Sequence, residues 1–185
     1  VRAKMGDPLV FAEYNDVWLA TNNQPESCHG LGRLMLSSPL MTTENRQQRL
    51  YAQLRAGQSG PAIATAQSLG INLSLAQFNQ IQANPQGYLW TAPKNNLNDY
   101  AYLVFALGRT ADTDLTTALQ SMPRLVEGVP PEVQKYIYRT VAYIGGTTVM
   151  KNNFNREVLT NFDASYGMPF TPEESEVYAR QAIRF

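Results

Sequence analysis

Apolar residues recur at helical spacing along most of the chain, and glycine or proline punctuates the runs. Asp7 followed by Pro8 reads as an N-cap with proline in the first turn, and Leu9, Val10, Glu13, Tyr14, Val17 and Trp18 then share a helical pattern. The spacing predicts a helix over 8–20. Leu31, Leu34 and Met35 fall on one face of the next helix, which Pro39 ends. "TTENRQQRLYAQLRAG" gives the clearest stripe, Arg46, Leu50 and Leu54, with Gly57 as its stop. "GPAIATAQSLG" follows at once, with Pro61 in its first turn and Gly70 at its end, so the two helices should form an antiparallel hairpin.

The pattern then returns. "NDYAYLVFALG" is expected to end on Gly108, and "DTDLTTALQSM" to run to Met122, where Pro123 stops it. "PPEVQKYIYRTVAYIGG" opens on two prolines and closes on two glycines, giving a helix over 131–144. Thr171, Pro172 and Glu174 form a capping box that starts a last helix. No segment alternates with the period of a strand. "LYAQLRAG" with "AQSL" is echoed by "YLVFALG" with "LQSM", at a spacing longer than a tetratricopeptide repeat. The fold class expected is all-α, an irregular α-solenoid of antiparallel helical hairpins.

Composition narrows the function classes. Fifteen basic residues balance fifteen acidic ones without a Lys/Arg-rich run, so the footprint of a nucleic-acid partner is missing. No apolar run reaches membrane-spanning length; the longest, "YLVFALG", closes on Gly108. Val1 is no initiator, and the chain closes on the amphipathic "EESEVYARQAIRF", so both ends are expected to be cuts in a longer protein.

Reactive side chains are sparse. Cys28 is the only cysteine and follows the polar, proline-containing turn "TNNQPES", where a thiol is either a reactive group or half of a disulfide. His29 adjoins it, but neighbours on a helix point in different directions, and no second histidine exists to complete a metal set or a Cys–His–Asn arrangement. Asp112 and Asp114 cannot line one helix face and read as N-terminal charges; Glu173, Glu174 and Glu176 crowd a first turn in the same way. There is no P-loop, no Rossmann fingerprint and no zinc spacing, so no cofactor and no metal is expected. Among the aromatics, Tyr88 and Trp90 in "QGYLWTAPKN" stand in what reads as a Gly/Pro-punctuated loop. There they are candidate glycan contacts rather than core.

The order of short motifs carries a resemblance. "VWLATNNQPESC", "RLYAQLRAGQSGPAIATAQSLG", "QIQANPQGYL", "AYLVFALGRTADTDLTTALQSM" and the segment through "EVQKYIYRTVAYIGG" together look like the middle of the superhelical U domain of a soluble lytic transglycosylase of the Slt type. The resemblance covers roughly Leu9 to Phe185. It implies a periplasmic parent enzyme that cleaves the β-1,4 bond between N-acetylmuramic acid and N-acetylglucosamine in peptidoglycan and leaves a 1,6-anhydromuramyl end. It further implies that residues 1–185 are one piece of the helical ring, with the linker and lysozyme-like catalytic domains outside them. Partners would be peptidoglycan glycan strands, reached through the parent, and other cell-wall proteins. The family's catalytic glutamate precedes a serine and is followed by a Gly-Leu-Met-Gln motif. Glu26–Ser27 and Glu174–Ser175 match the dipeptide without that motif, so no catalytic residue is assigned. The resemblance also implies that Cys28 pairs with a cysteine upstream of Val1, with a free buried thiol as the alternative. A different class stays open beside it: a helical-repeat scaffold that binds a protein partner in an apolar groove. The sequence beyond Phe185 discriminates the two.

Overall fold

The computed structural model describes residues 7–19, 26–148 and 154–183. Within them the chain is helical throughout: α1 (Pro8–Leu19), α2 (Glu26–Ser37), α3 (Thr43–Arg55), α4 (Ser59–Gln67), α5 (Leu75–Ala83), α6 (Pro85–Thr91), α7 (Leu97–Thr113), α8 (Leu115–Val126), α9 (Pro131–Thr147), α10 (Phe154–Ala164) and α11 (Pro172–Ala182). The all-α expectation holds, with no strand among the described residues. None of these helices is long and apolar enough to cross a membrane.

Local chemistry sets many of the boundaries. Asp7 caps α1, its carboxylate accepting from the Leu9 N–H at 3.0 Å. Thr42, Asn84, Asn96 and Asp114 cap α3, α6, α7 and α8 with side-chain oxygens. The capping box at Thr171 and Glu174 is complete in both directions. Gly57 ends α3 at a φ of 73°, a left-handed position that favours glycine.

Four punctuation residues mean something else in three dimensions. Gly108 does not end its helix: α7 runs on to Thr113, because the missing side chain admits the backbone of α3. A Cβ there would lie 3.0 Å from the Arg55 carbonyl oxygen. Gly57 and Gly108 are therefore not equivalent repeat positions; Arg109, next to Gly108, donates to the Arg55 carbonyl at 2.8 Å and lies against Gly57. Pro123 sits inside α8, which continues to Val126 with Leu125 fully buried in the last turn. Burial of that turn offsets the lost backbone bond. Gly145 and Gly146 lie within α9, where a Cβ would strike Val158 of α10 and Val177 of α11. Both glycines are contact points for the last two helices.

The main core runs from α3 through α9 and centres on α7, whose residues from Tyr100 to Gly108 are all buried. A helix apolar all round belongs in the middle of a core. Phe78, from α5, meets the rings of Tyr102 and Phe105 edge-on. Tyr14, Trp18, Leu19, Met35 and Met41 form a smaller cluster beneath α1 and α2. Ala142, Val158, Phe162 and Val177 form another between α9, α10 and α11. The helices α3, α7, α9 and α11 draw together; α3 touches α9 directly and reaches the first turn of α11 through Arg55.

Candidate functional site

Glu174 is the one Glu-Ser carboxylate whose side chain the structure describes, and it sits at the junction of α3, α9 and α11. Its Oε1 accepts from Arg55 at 2.5 Å and its Oε2 from Arg139 at 2.8 Å. Oε2 also accepts from the Thr171 N–H at 3.0 Å. Arg139 holds the preceding turn as well, donating to the Ser165 hydroxyl at 3.0 Å and the Met168 carbonyl at 2.8 Å. Aromatic faces enclose the charges: Arg55 lies 3.9 Å from the Tyr143 centroid, and Arg139 4.4 Å from that of Phe170. Tyr51 and Tyr136 stack alongside at 3.9 Å.

This environment decides the role of Glu174. Burial raises its pKa, but Arg55, Arg139 and the Thr171 N–H together outweigh burial and hold the carboxyl below its ordinary value. A glycosidic general acid needs the opposite shift. The adjoining cavity, lined by Tyr51, Arg55, Arg139 and Glu174, measures about 20 Å³, too small for a sugar. Glu174 is a structural anchor as well as a cap, a role its sequence position alone did not reveal.

The two candidate glycan contacts part company. They stand on the short helix α6, not in a loop, since Asn84 caps that helix and Pro85 opens it. Tyr88 packs half-buried against the main core, and burial, then Asp99 and Tyr102, push its pKa up to about 12. Trp90 stands on the surface, 64% exposed, one residue beyond the buried Leu89. The Arg124 guanidinium lies 4.8 Å from its ring centroid and donates to its carbonyl at 3.2 Å, and also to that of Leu89. Lys94 returns the favour, donating to the Arg124 and Glu127 carbonyls at 2.9 and 2.7 Å. Each cation thus neutralises the carbonyl end of the other's neighbouring helix, α6 and α8. Trp90 is held by its backbone, with its indole left outside.

Asp114 caps α8, accepting from the Thr117 N–H at 3.0 Å and hydroxyl at 2.6 Å, as its position in the sequence predicts. Asp112 pairs with Arg109 at 2.7 Å. Cys28 falls within α2 rather than in the loop before it. The side chains of 26–29 lie outside the described residues, so the thiol and its neighbour His29 have no geometry to report. No cluster of metal-ligating side chains occurs among the described residues.

A larger groove, about 810 Å³, opens between the α1–α2 pair and the turn joining α3 to α4. Trp18, Arg33, Arg49 and Gln53 line it together with the Gly57–Pro61 turn. Periodicity placed Trp18 on a helical pattern but gave no sign of a groove, which forms only where the two hairpins meet.

No protein-family model, curated protein or solved structure matches the chain.

Proposed function

We propose that the chain is a non-catalytic helical segment of a periplasmic lytic transglycosylase, a wall of hairpins that holds peptidoglycan near a catalytic domain outside these residues. What supports the reading is the order of the quoted motifs on consecutive helices. "VWL" closes α1, Cys28 falls in α2, "RLYAQLRAG" takes in the second half of α3 and its stop, "QIQANPQGYL" spans α5 and α6, and "AYLVFALG" lies in α7. Trp90 adds a surface suited to a sugar: an exposed ring with a backbone-anchored cation behind it. In such an enzyme the acid that protonates the leaving oxygen comes from another domain, and the ionised, doubly paired Glu174 fits a supporting wall.

Sedimentation with purified sacculi tests the proposal. The chain should pellet with sacculi and release no anhydromuropeptides detectable by mass spectrometry. Failure to pellet above a chitin control overturns the glycan-holding role. Release of anhydromuropeptides overturns the non-catalytic one.

A further inference from the structure

The anchor where α3, α9 and α11 meet carries more positive charge than its carboxylate balances. Arg55 and Arg139 both pair with Glu174, at 2.5 and 2.8 Å, so two cations share one anion and a single positive charge is left over. The side chains of Arg55, Arg139 and Glu174 are 6%, 3% and 6% exposed. A charge withdrawn that far from water is costly unless a partner of opposite sign joins it. Among the described residues no second carboxylate does so. Glu44, Glu132 and Glu173 act from a distance on Tyr136, Tyr51 and Tyr143, and none of them pairs with either guanidinium. Lys135, beside Gly167, adds to the surplus.

The donors are divided unequally. Arg139 commits its N–H groups to Glu174 and to the turn before α11, through Ser165, Met168 and Pro169. Arg55 gives Nη1 to Glu174, while its Nε and Nη2 reach no acceptor among the described residues. Both of these nitrogens keep solvent-accessible surface although the side chain as a whole is nearly buried. The space left to them is the cavity that Arg55 lines, since Tyr143 covers the guanidinium at 3.9 Å.

Size and wall chemistry choose the ligand. About 10–15 Å³ of such space takes one water. A cavity of about 20 Å³ therefore admits one particle of that order and no larger oxyanion. A water would meet the donors but leave the charge, whereas a monatomic anion answers both. Ala52, Met168, Pro169 and the rings of Tyr51 and Tyr136 complete the lining. That wall suits a large, weakly hydrated halide over fluoride, because the penalty for leaving water falls as the ion grows.

We propose that this cavity binds a chloride ion on the Arg55 Nε and Nη2 donors, and that the ion completes the anchor joining α3, α9 and α11. The inference stands independently of any cell-wall role. Because the three helices meet only in the folded chain, the ion stabilises that state by mass action.

Crystals of the chain soaked in sodium bromide and recorded at the bromine edge should show an anomalous peak in the cavity beside Arg55. In solution, the urea midpoint should rise when fluoride is exchanged for chloride or bromide at fixed ionic strength, and rise further with each tenfold increase in halide. General salt effects run in the opposite order, since strongly hydrated anions favour the compact state, so a rise on exchange reports a site. Arg55→Gln cancels the surplus charge and removes the donors, and should abolish the rise. Arg180→Gln, at the exposed pair with Glu176, should keep it. Absence of the bromide peak from the cavity overturns the proposal whether or not Arg55→Gln folds. So does a midpoint no higher in chloride than in fluoride, or a rise that survives in folded Arg55→Gln.

Discussion

Arg55, the last residue of α3, and Glu174, in the first turn of α11, meet at 2.5 Å although 119 positions separate them in sequence. The carbonyl end of one helix faces the amide end of another, and each charge suits its own helix dipole. In an array where each hairpin touches only its neighbours, such a contact would not form. Here it ties the third helix to the eleventh, with Arg139 of α9 as the second donor.

Glu174→Gln keeps the shape of the anchor but leaves Arg55 and Arg139 buried without a counter-charge. The expected loss of stability is about 3–5 kcal/mol, read from urea unfolding. Glu176→Gln removes the exposed pair with Arg180 and should cost about 0–1 kcal/mol. Equal midpoints for the two variants would show that the buried triad does not hold α3 to α11.

The same carboxyl fixes an acid limb. Burial raises the pKa of Glu174, but its two arginines lower it further, so the folded value lies below the unfolded one. Between those values the unfolded chain binds more protons. The contribution is complete above an unfolded pKa of about 4.3 and is lost as pH falls through the folded value. Unfolding midpoints followed down from neutral pH should fall less steeply in Glu174→Gln than in the native chain.

Gly108 separates propensity from packing. An exposed helical Gly→Ala change gains about 0.5–1 kcal/mol, and Gly30→Ala in α2, with open space around it, should do so. Gly108→Ala puts a methyl 3.0 Å from the Arg55 carbonyl oxygen and 3.3 Å from its Cα, backbone atoms that cannot turn aside. It should lose about 1–3 kcal/mol in thermal or urea unfolding. A stabilised Gly108→Ala would mean that α3 and α7 do not cross at that point.

These positions mark how far the sequence could be read. Caps at Asp7 and Thr171 were legible because their partners lie within three residues, and Asp114 was legible as an N-terminal charge, though not as the cap it is. Gly108, Pro123, Gly145 and Gly146 were read as stops, because a local rule cannot see the backbone of α3 or the valines of α10 and α11. The helices α5, α6 and α10 escaped notice; α6 is seven residues long, too short for its periodicity to register. Glu174 was legible as a cap but not as an anchor, since Arg55 and Arg139 join it only after folding. The groove at Trp18 was hidden for the same reason.

Cys28 bears on the cell-wall reading. As the only cysteine of these 185 residues, it reacts as one free thiol in the unfolded chain. If it pairs in a longer natural form with a cysteine upstream of Val1, oxidised material of that form should resist thiol labelling at Cys28. The closed loop should add about 3 kcal/mol to stability, and amide exchange over 8–20 should slow. Full labelling of Cys28 in the oxidised longer form would remove the disulfide and weaken the resemblance on which the reading rests.

Trp90 gives the sharpest separation of binding from folding. Its indole is mostly exposed, whereas Arg124 grips the carbonyls of Leu89 and Trp90, which a side-chain change leaves in place. Trp90→Ala should therefore shift stability by less than about 1 kcal/mol, chiefly through the lost Arg124 stacking. Its retention on purified sacculi should fall several-fold, while Tyr88→Phe, which keeps the packed ring, leaves retention unchanged. Retention of Trp90→Ala at the native level would remove α6 from the proposed glycan surface, and the folded fraction, followed by circular dichroism, distinguishes that result from simple unfolding.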